Sequence, residues 1–255
     1  MAGKLLRCLM AAAISMVASS ADADIGAPSL HREAVDVAAY PWSSIGKLFN
    51  EAGGACTGVI VARDKILTAA HCIYNSRTRR FLPASSLHFM VGYRSGQAGL
   101  HARVASYEIG AGYDAVRWFE TMEADWAMLT LTEALPDEIA PLRLRDAPAP
   151  SGTRAFIAGY PQDRAHLMTA DMDCELSGGD EAGRLFHTCR GIGGYSGAPI
   201  LVGVSDDEVE VAGIHVATMR GGKRMVAVPA QSISREPEVT VVAQAALPFD
   251  SGWFE

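Results

Sequence analysis

The sequence predicts an all-β protein in two halves, and three observations carry that prediction. Short runs of alternating or β-branched apolar residues are separated by Gly, Pro, Asn and Asp clusters. Between residues 40 and about 145, no segment keeps a helical period over three turns. The stretch Asp146-Ala147-Pro148-Ala149-Pro150-Ser151-Gly152 then divides the patterned text, because prolines and glycine at that density do not fit a sheet interior.

The elements follow in order. Lys4 and Arg7 precede an apolar run from Cys8 to Val17, and Ala18-Ser19-Ser20-Ala21-Asp22-Ala23 comes next. A charged start, a short apolar middle and an Ala-x-Ala site form the pattern of an export signal, with the cut expected after Ala23. The run is too short to span a bilayer stably. Residues 1–23 are therefore expected to be a signal peptide, and 24–39 a short propeptide or an ordered N-terminal arm. Strands are predicted over Ser44–Phe49, Cys56–Ala62, Lys65–Ala70, Leu87–Val91, Ala102–Ile109 and Trp126–Leu131, within a first unit of 40–146. Beyond the linker, strands are predicted over Arg154–Gly159, Met168–Leu176, Ala198–Val204, Val209–Thr218 and Arg224–Val228, within a second unit of 152–246. Residues 229–255 carry no clear pattern: Pro237 interrupts, and Val239–Ala246 suits strand or helix.

Composition narrows the function. At 255 residues, with 49% hydrophobic and 20% charged residues, the chain can bury a sizeable core and reads as a soluble globular protein. A net charge of −7 argues against a nucleic-acid surface, and the cluster Arg77-Thr78-Arg79-Arg80 reads as a solvated loop. Cys8 would leave with the signal, so Cys56, Cys72, Cys174 and Cys189 remain. An even number in an oxidising compartment implies two disulfides, with three possible connectivities. Cys56 with Cys72 and Cys174 with Cys189 is the expected pairing, since each pair lies within one half. Neither Cys-x-x-Cys nor His-x-x-x-His spacing is present, so no metal is expected, and no cofactor.

Three segments carry chemistry. In Gly191-Ile192-Gly193-Gly194-Tyr195-Ser196-Gly197-Ala198-Pro199-Ile200, four glycines surround one serine, a turn that can expose Ser196 and aim successive N–H groups at one spot. A serine hydroxyl is a weak nucleophile until a base takes its proton. Thr68-Ala69-Ala70-His71-Cys72 offers that base at a strand end beside a cysteine. Glu123-Ala124-Asp125-Trp126-Ala127-Met128-Leu129 sets Asp125 at the start of an apolar strand, where a buried carboxylate needs a donor such as an imidazole N–H. Asp114 is the second choice, since no apolar strand follows it.

Together, Cys56-Thr57-Gly58, Leu67-Thr68-Ala69-Ala70-His71-Cys72, Asp125-Trp126-Ala127-Met128-Leu129 and Gly194-Tyr195-Ser196-Gly197-Ala198-Pro199 resemble the signature regions of chymotrypsin-fold serine proteases, in that family's order of His, Asp and Ser. Tyr40-Pro41-Trp42-Ser43-Ser44-Ile45-Gly46 and Thr57-Gly58-Val59-Ile60 resemble the bacterial glutamyl-endopeptidase (V8-like) branch. The resemblance covers roughly 40–230. It implies two six-stranded antiparallel Greek-key barrels with the active site in the cleft between them. His71 would then be the general base, Asp125 its orienting acid and Ser196 the nucleophile, with the Gly194 and Ser196 N–H groups as oxyanion hole. Val211-Ala212-Gly213-Ile214-His215-Val216-Ala217 resembles the strand lining the primary pocket, and His215 matches the histidine that holds an acidic substrate side chain.

The departures matter as much. Tyr195 stands where the animal digestive branch has an aspartate that receives a newly cut N-terminus, and no Ile-Val-Gly-Gly start is visible. Any maturation beyond signal removal would fall near His31-Arg32-Glu33. Gly191 replaces the threonine that glutamyl endopeptidases place five residues before the serine, and Arg190 is a candidate source of positive charge for the pocket. The expectation is a secreted or periplasmic, monomeric serine endopeptidase acting on proteins or peptides, with acidic preference open. It would bind no nucleic acid and have no stable membrane insertion. The alternatives are an esterase-type hydrolase, or an inactive binding protein on the same fold.

Overall fold

The computed structural model describes residues 32–203, 208–219, 224–233 and 240–241. The predicted signal peptide, His31, and the segment from Val242 onward lie outside the described residues. Six strands form the first barrel: β1 (Ile45–Asn50), β2 (Ala55–Ala62), β3 (Lys65–Thr68), β4 (Leu87–Val91), β5 (Leu100–Ile109) and β6 (Ala127–Leu131). They pair antiparallel in the order β5-β4-β1-β2-β3-β6, and β6 pairs back onto β5, so the sheet closes into a barrel. The next six form the second: β7 (Arg154–Gly159), β8 (Thr169–Gly179), β9 (Leu185–His187), β10 (Pro199–Gly203), β11 (Val209–Thr218) and β12 (Met225–Pro229). Their order is β8-β7-β10-β11-β12-β9, closed by β9 on β8.

Alternation builds these barrels. β4 and β6 each bury every second residue, sending Leu87, Phe89 and Val91, and Ala127, Leu129 and Leu131, inward. Gly46 and Gly58 face each other across β1 and β2, and the Phe89 ring fills the slot that their missing side chains leave. Tyr107, Ile66 and Leu67 close the same core. In the second barrel Ile157, Leu176, Ile200 and Val202 converge with buried Tyr195.

One threonine ties the barrels together, and a second braces it from within the first barrel. Thr57, wholly buried on β2, donates through Oγ1 to the Gly194 carbonyl (2.9 Å) and accepts the Tyr160 N–H (3.0 Å). Its own amide donates to the Ser196 carbonyl at 2.9 Å. Thr68 Oγ1, also buried, donates to the Thr57 carbonyl at 2.7 Å. The segment just before the linker is stitched down as well: Arg143–Leu144 runs parallel to Glu210–Val211 on β11, and buried Glu210 accepts from Arg143 Nε (2.8 Å) and Arg145 Nη1 (2.7 Å).

The structure alters the expected elements in places. The strand predicted over Lys65–Ala70 stops at Thr68, and His71 lies in a 3₁₀ turn, Ala70–Ile73, not at a strand end. The turn is pinned by the Cys72 amide to the Ala69 carbonyl (3.1 Å) and by the Cys56–Cys72 disulfide. The second disulfide joins Cys174 to Cys189, so both bridges match the expected pairing. Strand β9 carries no period-two signal in its three residues, and only its pairing with β8 and β12 defines it. A short helix, Ala230–Ile233, and a two-residue strand, Thr240–Val241 on β5, begin the C-terminal region.

Candidate active site

The site is built where the ends of β3, β6 and β11 approach the loop before β10. Asp125 is 1% exposed, a burial that a carboxylate tolerates only with strong donors. Its Oδ1 accepts the backbone N–H of His71 (2.9 Å), and its Oδ2 lies 2.7 Å from His71 Nδ1. A carboxylate at that distance fixes the proton on Nδ1 and leaves Nε2 as the basic atom. Burial works against an imidazolium at His71, but the Asp125 charge and its hydrogen bond outweigh burial, and the pKa is raised. Asp114 is placed elsewhere: its carboxylate pairs with exposed Arg117 Nε at 2.9 Å.

The serine loop is held from both barrels. Gly194 and Gly197 adopt φ of +95° and +78°, angles that favour glycine. A Cβ at Gly197 would overlap Thr68 Oγ1 and the Thr57 carbonyl, so this glycine lets Ser196 sit against the platform that carries His71. The neighbouring amides have partners: Tyr195 N–H donates to the Ile192 carbonyl (2.9 Å), Gly197 N–H to that of His215 (2.8 Å) and Ala198 N–H to that of Tyr195 (2.8 Å). The Gly194 and Ser196 amides donate to no acceptor among the described residues. Two unused donors flanking a half-buried hydroxyl are suited to a developing oxyanion.

A cleft of about 420 Å³ runs past this centre, lined by His71, Asp125, Tyr74, Tyr113, Trp118 and the β11 residues Val216, Ala217 and Thr218. Trp118 and Phe119 are 46% and 52% exposed and, with exposed Val116, give this loop an apolar patch. Beneath it, His215 is buried and its Nδ1 lies 3.2 Å from Nε2 of buried His187. Burial pushes the His215 pKa down to about 3, with the nearby His71 adding to the effect, and drives that of His187 well below its ordinary value by burial and the His215 neighbour. Both rings are therefore neutral near pH 7. Gly191 packs against the His215 imidazole so closely that any Cβ there would overlap the ring, which excludes a threonine at this position. The Arg190 amide donates to Asp171 Oδ2 at 2.9 Å.

The structure thus brings together His71, Asp125, Val216 and Ala217 along one cleft, with Ser196 and Gly194 on the loop beside it and His215 against Gly191. Sequence reasoning missed His187, Tyr74, Tyr113 and Trp118. His187 precedes Cys189 in a stretch with no strand signal, and nothing local marks it. The sulfurs of Cys56 and Cys72 lie near His71, but both are in the disulfide and offer no thiolate for a metal.

Two closed six-stranded barrels with these groups along the cleft define the chymotrypsin-like class of folds. A solved Glu endopeptidase, in complex with MPD, superposes with a TM-score of 0.67 over 79% of this chain and 92% of its own, at 22% identity. The chain belongs to the trypsin-like peptidase domain family, whose profile matches residues 56–214, more than half of it. It is also 28% identical over 182 residues to serine protease SP24D of Anopheles gambiae. That match takes in 62% of this chain and 64% of the relative, so the chain spans less than two thirds of that protein's length. Among the described residues no helix is long and apolar enough to cross a membrane.

Proposed function

We propose that this chain is a serine endopeptidase that works through an acyl-enzyme. The observation that carries the reading is the doubly held Asp125–His71 pair, which leaves His71 Nε2 basic; the glycine-rich loop adds Ser196 with the unengaged Gly194 and Ser196 amides. In this reading His71 Nε2 takes the Ser196 hydroxyl proton as Oγ attacks the peptide carbonyl. The Gly194 and Ser196 N–H groups hold the oxyanion, and the imidazolium then protonates the leaving amine. Water, activated by the same imidazole, releases the acyl group. Asp125 stabilises the imidazolium.

For the residue before the scissile bond, the reading is a carboxylate side chain held by His215. Its support is the His215 ring set between Gly191 and β11, together with the likeness to a Glu endopeptidase. A neutral His215 supplies one N–H donor and no charge, so binding a carboxylate would draw a proton into the pocket. The ratio of kcat/KM for a Glu substrate over its Gln counterpart should therefore rise as pH falls from 8 to 5.5; protonation of His71 affects both substrates alike and cancels. A flat or falling ratio would sink this pocket assignment. An export signal over residues 1–23 and the two disulfides support a secreted or periplasmic location. A peptide-library cleavage profile tests the whole reading. Cleavage after Glu or Asp that disappears in Ser196→Ala is expected, and cleavage that persists in that variant would contradict the assignment.

A further inference from the structure

Arg32 is an arginine only 8% exposed, at the head of the short segment of residues 32–35 that precedes the first barrel. The segment is not a loose tail. Glu33 and Ala34 pair antiparallel with Ala170 and Thr169 on β8, and the Val35 amide donates to the Met168 carbonyl at 3.3 Å. The strap delivers the Arg32 guanidinium to the face of the Tyr195 ring, 5.9 Å from its centroid, at the residue directly before Ser196. Arg32 also donates from Nη2 and Nη1 to the two carboxylate oxygens of Asp163, at 2.6 and 3.3 Å. Tyr195 is itself fixed at its hydroxyl, which donates to the Thr169 carbonyl (2.8 Å) and meets Thr169 Oγ1 (2.7 Å). Thr169 is thus shared: it pairs with the strap and it anchors Tyr195.

A second path runs from the same arginine to the oxyanion donors. Asp163 follows Gln162, whose amide donates to the Gly193 carbonyl at 2.8 Å. That carbonyl belongs to the peptide unit whose N–H is that of Gly194. Arg32 therefore grips the loop that sets the Gly193–Gly194 peptide and stacks on the ring that precedes Ser196.

We propose that Arg32 is a positioning residue for the nucleophile turn, supplied from the N-terminal strap of the same chain. This rests on the reading of Ser196 as nucleophile. A cut after Arg32 is then not a maturation step: it would release the guanidinium from beneath Tyr195 and lower activity. The chain is competent with the strap intact.

Four forms test this: the chain beginning at Asp24, the chain beginning at Glu33, and Arg32→Ala and Asp163→Asn in the Asp24 form. A peptide substrate gives kcat and KM for each, and a phosphonate titrates reactive serine. The Glu33 form and Arg32→Ala should lose about ten- to a hundredfold in kcat with KM changed little, the pattern of a displaced reacting group. Methylguanidinium should restore part of the kcat of Arg32→Ala and none of that of Ser196→Ala. Asp163→Asn, at a half-exposed carboxylate, tests the same link if Arg32→Ala does not fold, and should lower kcat severalfold. Arg32→Ala or Asp163→Asn with wild-type kcat, or a Glu33 form more active than the Asp24 form, would overturn the proposal. An Asp24 form that takes no phosphonate would instead remove the reading of Ser196 on which it rests.

Discussion

At the scale of single residues, the Asp125–His71 pair sets the chemistry. Asp125 accepts from both the backbone and the ring of His71, so it controls the ring's position, its tautomer and its basicity at once. Replacing it with Asn should lower kcat about 10⁴-fold, the size known for that change in the Ser-His-Asp template, because the amide favours the wrong tautomer. The pH profile gives a second check. With the His71 pKa raised, the acid limb of kcat/KM should lie above the ordinary imidazole range of about 6.5, and loss of the Asp125 charge should move it to lower pH. A limb that stays in place in Asp125→Asn would show that another group titrates there. These two residues and Ser196 were legible in the sequence, since each sits in a local pattern that its chemistry demands. His187 was not: its importance comes from contact with His215, 28 residues away in the chain.

At the scale of elements, β2 is the joint of the molecule. Thr57 uses its amide, hydroxyl hydrogen and hydroxyl oxygen on Ser196, Gly194 and Tyr160, all in the second barrel. Thr57→Val keeps the shape and removes two of these bonds, leaving buried polar groups without partners. It should destabilise the fold by about 2 kcal/mol in urea unfolding and lower kcat, with Thr57→Ser close to wild type. A valine variant as stable and active as the parent would mean that the barrels are held by apolar contact alone. Most strand positions were readable because the alternation in β4, β5 and β6 states which face is inward. The end of β3 was not, because small alanines suit a strand and a 3₁₀ turn equally. The Cys56–Cys72 bridge and the hold of Asp125 on the His71 amide settle it as a turn.

At the scale of the whole molecule, the two buried histidines make stability depend on pH. The folded pKa values of His187 and His215 are lowered, so the unfolded chain binds protons that the folded chain does not. Their contribution is present above about pH 6.5 and is lost as pH falls below it, at up to about 1.4 kcal/mol per pH unit for each. His71, whose pKa is raised, acts in a different window: its contribution is fully present below about pH 6.5 and is lost as pH rises through its folded value, so it does not offset the decline on the acid side. Thermal unfolding should therefore shift to lower temperature between pH 6.5 and 4, and His187→Gln should flatten the decline. A melting temperature indifferent to pH over that range would contradict the burial of neutral rings. The two-barrel architecture was legible through the family resemblance that the His, Asp and Ser segments carry, whereas the strap of residues 32–35 was not. Its two-residue pairing with β8 is too short to show a period, and Arg32 reads as an ordinary charged residue until Tyr195 and Asp163 are seen beside it.

The central claim is that Ser196 is a nucleophile activated by His71. Intact-mass and peptide mass spectrometry after treatment with a diphenyl phosphonate ester bearing a Glu-like side chain tests it most directly. The account predicts one covalent adduct, mapped to Ser196, with labelling strongly slowed in His71→Ala and absent in Ser196→Ala. An adduct on another residue, or equal labelling of the wild type and His71→Ala, would contradict it.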